Sequence, residues 1–383
     1  RWESTPFVLR RRKWFLRERM YLAVNQKEII DNLVGCRILE WKDNKLKFKY
    51  PYIYYFFVGK KIAEYYASQD NVSSEVDYLL ENLHREDFAN ILIFITHHTK
   101  DSWLLSKIRT VLESIFQENE QASLNKNQVQ FMEEFIKEIP ELVIEHREIQ
   151  FERDKHNKRL DEIDSIEDSD ENEPLDILAT INKAFKGMDV AGQIIRNRHA
   201  SMTRQMLYEL EESGISTGLR FLDYFIRISD TAKAEIINFI KERIEDHPSS
   251  SDTQIKKRAE NIYLHMTYGV INVIVRKIAI SIGSRDAREI YNQLESDKQT
   301  PAYVLVNQAI ELQYTRTLKI SSIEKTLEKV KDNPICLRIL KEMVIQHIYM
   351  FPVGYKEKQQ LSDLLNLSIK GQRLMDQRKL AKG

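Results

Sequence analysis

The chain has 383 residues and carries 58 basic and 58 acidic side chains. A formal net charge of zero leaves no global field to draw it onto nucleic acid or a membrane surface, so only local patches can do either. At this length two or three domains are expected. Scarce Gly and Pro beside abundant Leu, Ile, Glu and Lys favour a mainly all-α build.

Arg1 to Ala23 reads as one amphipathic basic helix, with no apolar core and cleavage site of the signal-peptide kind. Gln26 to Leu33 places Ile29, Ile30 and Leu33 on one side and Lys27 and Asp31 on the other, which predicts a short helix stopped at Gly35. Ile38 to Trp41 is a strand candidate, and Lys42-Asp43-Asn44-Lys45 is a turn-type tetrapeptide. Leu46, Phe48 and Tyr50 then alternate with Lys45, Lys47 and Lys49, the period of a strand with one buried and one wet face. Pro51, lacking an N–H, ends that ladder, and helical spacing takes over through Ile53, Phe57, Lys61 and Ala63. Helix, hairpin, helix is the layout of a winged-helix module, and the aromatic run Tyr50 to Phe57 is read as core or interdomain packing.

Two further helices are expected at Tyr78 to Leu83 and Phe88 to His98, the second nearly all apolar and so central. Thr99 is placed to cap the next, Trp103 to Glu118, whose apolar stripe runs through Leu104, Ile108, Val111, Leu112 and Ile115. Asn125 to Arg147 is helical with a break at Pro140. Asp161 to Glu173 is acidic and nearly free of apolar residues, so a linker or exposed loop is expected over 147–174. Beyond it helices are expected throughout, with Gly214, Pro248 and Gly283 as punctuation and Gln254 to Ile282 as the buried spine. The implied organisation is a winged-helix-like module and junction helix over 1–69, helical domains over 70–146 and 175–355, and an amphipathic tail over 356–383, basic and frayed from Arg373 to Lys382. No fixed repeat period is present.

The string Phe48, Tyr50, Pro51, Tyr52, Tyr54, Tyr55, Phe56 and Val58, following a small helical module, resembles the region after the ATPase core of bacterial STAND-type NTPases. Phe88-Ala89-Asn90-Ile91-Leu92-Ile93-Phe94, Gly192-Gln193-Ile194-Ile195-Arg196-Asn197 and Gly218-Leu219-Arg220 extend the resemblance over roughly residues 20–225. These strings are packing motifs and carry no chemistry. No G-x-x-x-x-G-K-[ST] occurs in the chain, so the backbone cradle and lysine for nucleotide phosphates are missing from it. The expectation is a C-terminal piece of a longer protein, without catalysis of its own. ATP and Mg would be held upstream.

The resemblance implies a sensor and coupling arm of a signalling NTPase, many of which act in antiphage defence. Its partners would be a protein trigger, phage-derived for example, the NTPase domain of its own polypeptide and, on activation, further copies of itself. Neither nucleic acid nor a membrane is expected, since Val270 to Ile282, the longest apolar stretch, is broken by Arg276 and Lys277. Phe48, Tyr50, Tyr52, Tyr54, Tyr55 and Phe57 are the residues expected to couple the modules.

Rival readings attach to particular residues. Lys42, Lys45, Lys47 and Lys49 form a basic wing that would touch DNA phosphates in a winged-helix regulator, or simply a solvated strand face. Glu28 and Asp31 on the preceding helix favour the solvated face. Arg258, with six residues before His265, has the spacing of the HEPN ribonuclease motif, although Ala259 stands where that family places a polar residue. His97, His98 and Asp101 suggest metal ligation, but adjacent histidines diverge on a helix, and cationic histidines at a helix C-terminus are the simpler account. Cys36 and Cys336 match no metal spacing and read as free thiols in a reducing cytosol.

Overall fold

A computed structural model describes residues 25–370 apart from 43–44, 67–69, 100–101, 146, 156, 159–176 and 245–251. The expected basic helix of Arg1 to Ala23, the hairpin tip Asp43-Asn44, the acidic run Asp161 to Glu173, Pro248 and the basic end Arg373 to Lys382 lie outside the described residues. The fold is mainly all-α with one small antiparallel hairpin.

Asn25 opens helix α1 (Gln26–Gly35), its side-chain oxygen accepting from the N–H groups of Lys27 and Glu28. Strands β1 (Leu39–Lys42) and β2 (Lys45–Phe48) pair in the register Leu39 to Phe48 and Glu40 to Lys47. Pro51 is the first residue of α2 (Pro51–Tyr65), where its fixed φ suits the first helical turn and its absent N–H costs nothing. Then follow α3 (Asp70–Glu81), α4 (Glu86–His98) and α5 (Trp103–Ser114). Thr99 turns out to close α4 rather than open α5, whose cap position is Ser102. Helix α5 stops at Ser114 because Phe116 takes a left-handed φ of 52°.

The helix expected to reach Glu118 gives way after Ser114 to a strap that buries Ile115, Ala122 and Leu124. Ala122 N–H donates to Leu219 O at 3.0 Å, Ala302 N–H to Ser123 O at 3.0 Å and the Asn333 amide to Leu124 O at 2.8 Å. Gln128 Oε1 accepts from the backbone N–H groups of Ser123 and Leu124. Buried backbone must find partners, and this strap finds them on three distant helices. Two short helices follow, α6 (Lys126–Val129) and α7 (Glu133–Glu138), the latter ended ahead of Pro140.

Helices α8 (Ile177–Arg198), α9 (Arg204–Thr231) and α11 (Asp252–Ile282) pack on one another, and α10 (Lys233–Ile244) lies on α11. Gly214 sits inside α9, not at a break: its missing side chain makes room for Ile282. Beyond α11 follow α12 (Arg288–Lys298), α13 (Pro301–Tyr314), α14 (Ile320–Val330), α15 (Pro334–Met350) and α16 (Tyr355–Leu365); α13 packs on α11, α12, α14 and α15 pack on α13, and α16 packs on α14. A two-residue parallel pairing of β3 (Val143–Ile144) with β4 (Ser368–Ile369) draws the end of the described chain back to the strap side. Helices α4 and α5 pack on α8 and α9, so one hydrophobic cluster runs from Ile62 to Leu367. No helix of the described residues is long and apolar enough to cross a membrane.

Candidate functional site

Helix α2 presents two faces set by its 3.6-residue period. Tyr55, Gly59 and Ile62 turn inward, and α2 meets α4 so closely at Gly59 that an added Cβ would lie 2.7 Å from the Phe94 Cβ. Tyr52, Phe56 and Lys60 turn outward. The ring of Phe48, from β2, stacks on Phe57 with centroids 6.0 Å apart and leans on Tyr54 at 6.1 Å. Phe56 meets Phe94 and His98 of α4 edge-on, at 6.0 and 4.9 Å. The hairpin, α2 and the end of α4 are therefore joined by rings.

The coupling residues expected from the sequence divide between two environments. Phe48, Tyr54 and Tyr55 are half-buried, while Tyr50, Tyr52 and Phe57 are exposed. Trp41 is 62 % exposed, Tyr52 58 % and Phe57 49 %, so of the two expectations, core or interdomain packing, these exposed rings do not take the first. A patch of large apolar side chains at the surface marks a contact site more often than a chance arrangement.

Of the hairpin lysines, Lys42 and Lys45 are exposed, Lys47 stands directly opposite Glu40, and Lys49 Nζ lies 5.7 Å from the Tyr50 ring centre. Arg258 and His265 are both exposed on α11, two turns apart, and His265 touches the Phe135 ring edge-on. Neither lines a cleft between α7 and α11 of about 390 Å³, whose walls include Glu138, Lys257 and Asn261.

His97 and His98 occupy the last turn of α4. Asp101 lies outside the described residues. Burial, and then Arg198, hold the His97 imidazole below its ordinary value. Burial, then Lys60 and His97, do the same to His98. Both shifts run against the cationic state expected of histidines at a helix C-terminus. Among the described residues no group of three or more His, Cys, Asp and Glu is placed to hold a metal. Cys36 is exposed and Cys336 buried, both free thiols, and burial pushes the Cys336 thiol up to about 12.

Two features escaped the sequence reading. Glu211 is fully buried in α9, neither carboxylate oxygen has a hydrogen-bond partner among the described residues, and burial pushes its carboxyl up to about 9. The signal was present: Glu211 falls on the same helical face as Ile215, Gly218 and Leu222, one acid of three within Glu209 to Glu212. The second is a polar cleft between α12 and α14, floored by α13 and invisible in any one helix's pattern.

A family model described as Novel STAND NTPase 4 matches residues 13–58. That segment is related to the STAND NTPases. Within the described residues it takes in α1, the hairpin and the aromatic half of α2, and it ends at Val58. No curated protein and no solved structure matches the chain. The STAND-related segment therefore coincides with the aromatic surface, while the remaining helices stand outside the match.

Proposed function

We propose that this chain is a non-catalytic sensor and coupling arm of a STAND-type signalling NTPase, of the bacterial antiphage defence class. The observation that carries the reading is the coincidence of the STAND-related segment with an exposed aromatic surface on α2 and the hairpin. In this reading Tyr50, Tyr52 and Phe57 pack against the nucleotide-binding domain of the same polypeptide, which holds ATP and Mg, since this chain contains no phosphate-binding loop. The helices beyond α2 meet a protein trigger in the cytoplasm, and several copies assemble once activated. Trigger binding shifts the nucleotide switch only by the difference in its affinity for the two states. The half-buried rings of Phe48 and Tyr54, stacked between the hairpin and α2, are the path of that shift. Lys47 opposite Glu40 supports a solvated hairpin face rather than a DNA-binding wing.

The first test is the coding sequence ahead of Arg1, where a phosphate-binding loop is expected. The second uses the intact protein. Tyr50→Ala with Tyr52→Ala removes two exposed rings that stack only on each other among the described ring contacts, and leaves the fold, checked by circular dichroism, in place. Trigger-dependent ATP turnover should be lost, and a folded variant that still responds like the parent refutes the coupling role.

A further inference from the structure

Helices α12 and α14 stand as walls over α13 and enclose a cleft of about 720 Å³. Each helix contributes one polar face: Arg288, Asn292 and Glu295 from α12, Asn307 and Glu311 from α13, and Lys325 and Lys329 from α14. Glu311 is already matched by Arg288 and Lys319, and Glu295 by Lys329. Among the described residues Lys325, exposed on the rim, enters no ion pair. Four cations against two acids leave the cleft net positive within a chain of zero formal charge.

The floor holds a second observation. Gln308 is 3 % exposed, and its Oε1 accepts from Thr326 Oγ1 at 2.9 Å. That bond orients the amide, and its Nε2 has no partner among the described residues. A buried donor left unpaired is costly, and a ligand acceptor placed in the cleft would satisfy it. Asn292, exposed on the wall, adds another carboxamide. Carboxamides both donate and accept, as a peptide group does, so they match the main chain of an extended segment. No aromatic side chain lines the cleft, which removes the stacking surface that nucleobases use.

We propose that this cleft binds an acidic, extended polypeptide segment. Main-chain carbonyls of the segment meet the Gln308 amide on the floor and the Asn292 amide on the wall, and its Asp or Glu side chains meet the rim lysines. The inference gives the sensor role its contact surface and rests on that role only for the identity of the partner as a trigger.

The test is fluorescence polarisation of a labelled Glu/Ser peptide with the full chain. Binding is expected and should weaken as salt rises, because the rim lysines are solvent-exposed. Lys325→Glu and Lys329→Glu, on the exposed side of α14, should each weaken it about tenfold or more. Gln308→Met, which keeps the volume and removes the donor, should do the same. If that core variant melts early, the two lysine variants carry the test. No peptide binding, equal binding by the lysine variants, or a single-stranded oligonucleotide bound in place of the peptide each overturns the proposal. Peptide binding that leaves ATP turnover of the intact protein unchanged refutes the sensor role and leaves the cleft assignment standing.

Discussion

Arg196 Nη1 lies 2.8 Å from the carbonyl oxygen of Gly283, donating across from α8 to the end of α11. The same nitrogen donates to Ser281 O at 3.0 Å, and Tyr314 OH donates to Ile280 O at 2.8 Å. The last carbonyls of a helix have no intrahelical partner and carry the negative end of its dipole, so a guanidinium is a fitting cap. Arg220 repeats the device, its Nη2 donating to Leu112 O near the end of α5 at 2.6 Å. Both arginines follow a glycine that lets two helices touch, which accounts physically for Gly192 to Arg196 and Gly218 to Arg220 as packing strings.

Arg196→Met keeps much of the aliphatic stem and removes the charge-assisted bonds. It should cost about 2–3 kcal/mol of stability. The urea midpoint of the variant measures this, and a loss under about 0.5 kcal/mol would show that water replaces the cap.

Gly192 faces the Ser281 carbonyl so closely that a Cβ there would overlap the oxygen. The obstacle is backbone on both sides and cannot rotate away. Gly192→Ala should therefore destabilise by about 2 kcal/mol or more. Gly269→Ala, with open space at its Cβ position, should gain a few tenths from helix propensity, up to about 1 kcal/mol. Thermal melts of the two variants make the comparison.

Glu211 gives a pH dependence whose sign is fixed by its raised carboxyl, about 9 against an ordinary 4.5. The folded state binds the proton more tightly than the unfolded one. The contribution to stability is full below 4.5 and is lost as pH rises towards 9. At neutral pH the burden is about 3 kcal/mol. Glu211→Gln should stabilise the chain by an amount of that order near pH 7 and by almost nothing near pH 4. Urea titrations at the two pH values test it, and an equal effect at both would show that the acid is ionised and paired in the native state.

The aromatic surface predicts a contrast within one cluster. Phe48 is half-buried between Phe57 and Tyr54, so Phe48→Ala should cost about 1–2 kcal/mol. Tyr52, at 58 % exposure, should tolerate Ala within about 0.5 kcal/mol. Chemical denaturation of the two variants separates a ring that holds the hairpin to α2 from one that stands in solvent beside Tyr50.

The elements were legible because each is written in a local period. Alternation at Lys45 to Phe48 specified a strand, Pro51 its end, and i, i+4 spacing the helices, since those patterns need only neighbours along the chain. Even there, local signals erred where a distant partner decided the matter. Gly214 looked like a break until Ile282 filled its space, and the helix expected to run on to Glu118 stops at Ser114, where Phe116 turns left-handed.

What the sequence by itself determined is the inventory: a balanced charge, helices, one lysine-striped hairpin, no phosphate loop and an aromatic run resembling a STAND-NTPase segment. Tertiary structure alone decided which rings of that run face solvent, that Glu211 is the buried acid of its trio, and that three polar helix faces close into one cleft. The physical reason is that burial and hydrogen-bond satisfaction depend on which surfaces meet, and residues as far apart in the chain as Leu124 and Asn333 meet only in the folded molecule.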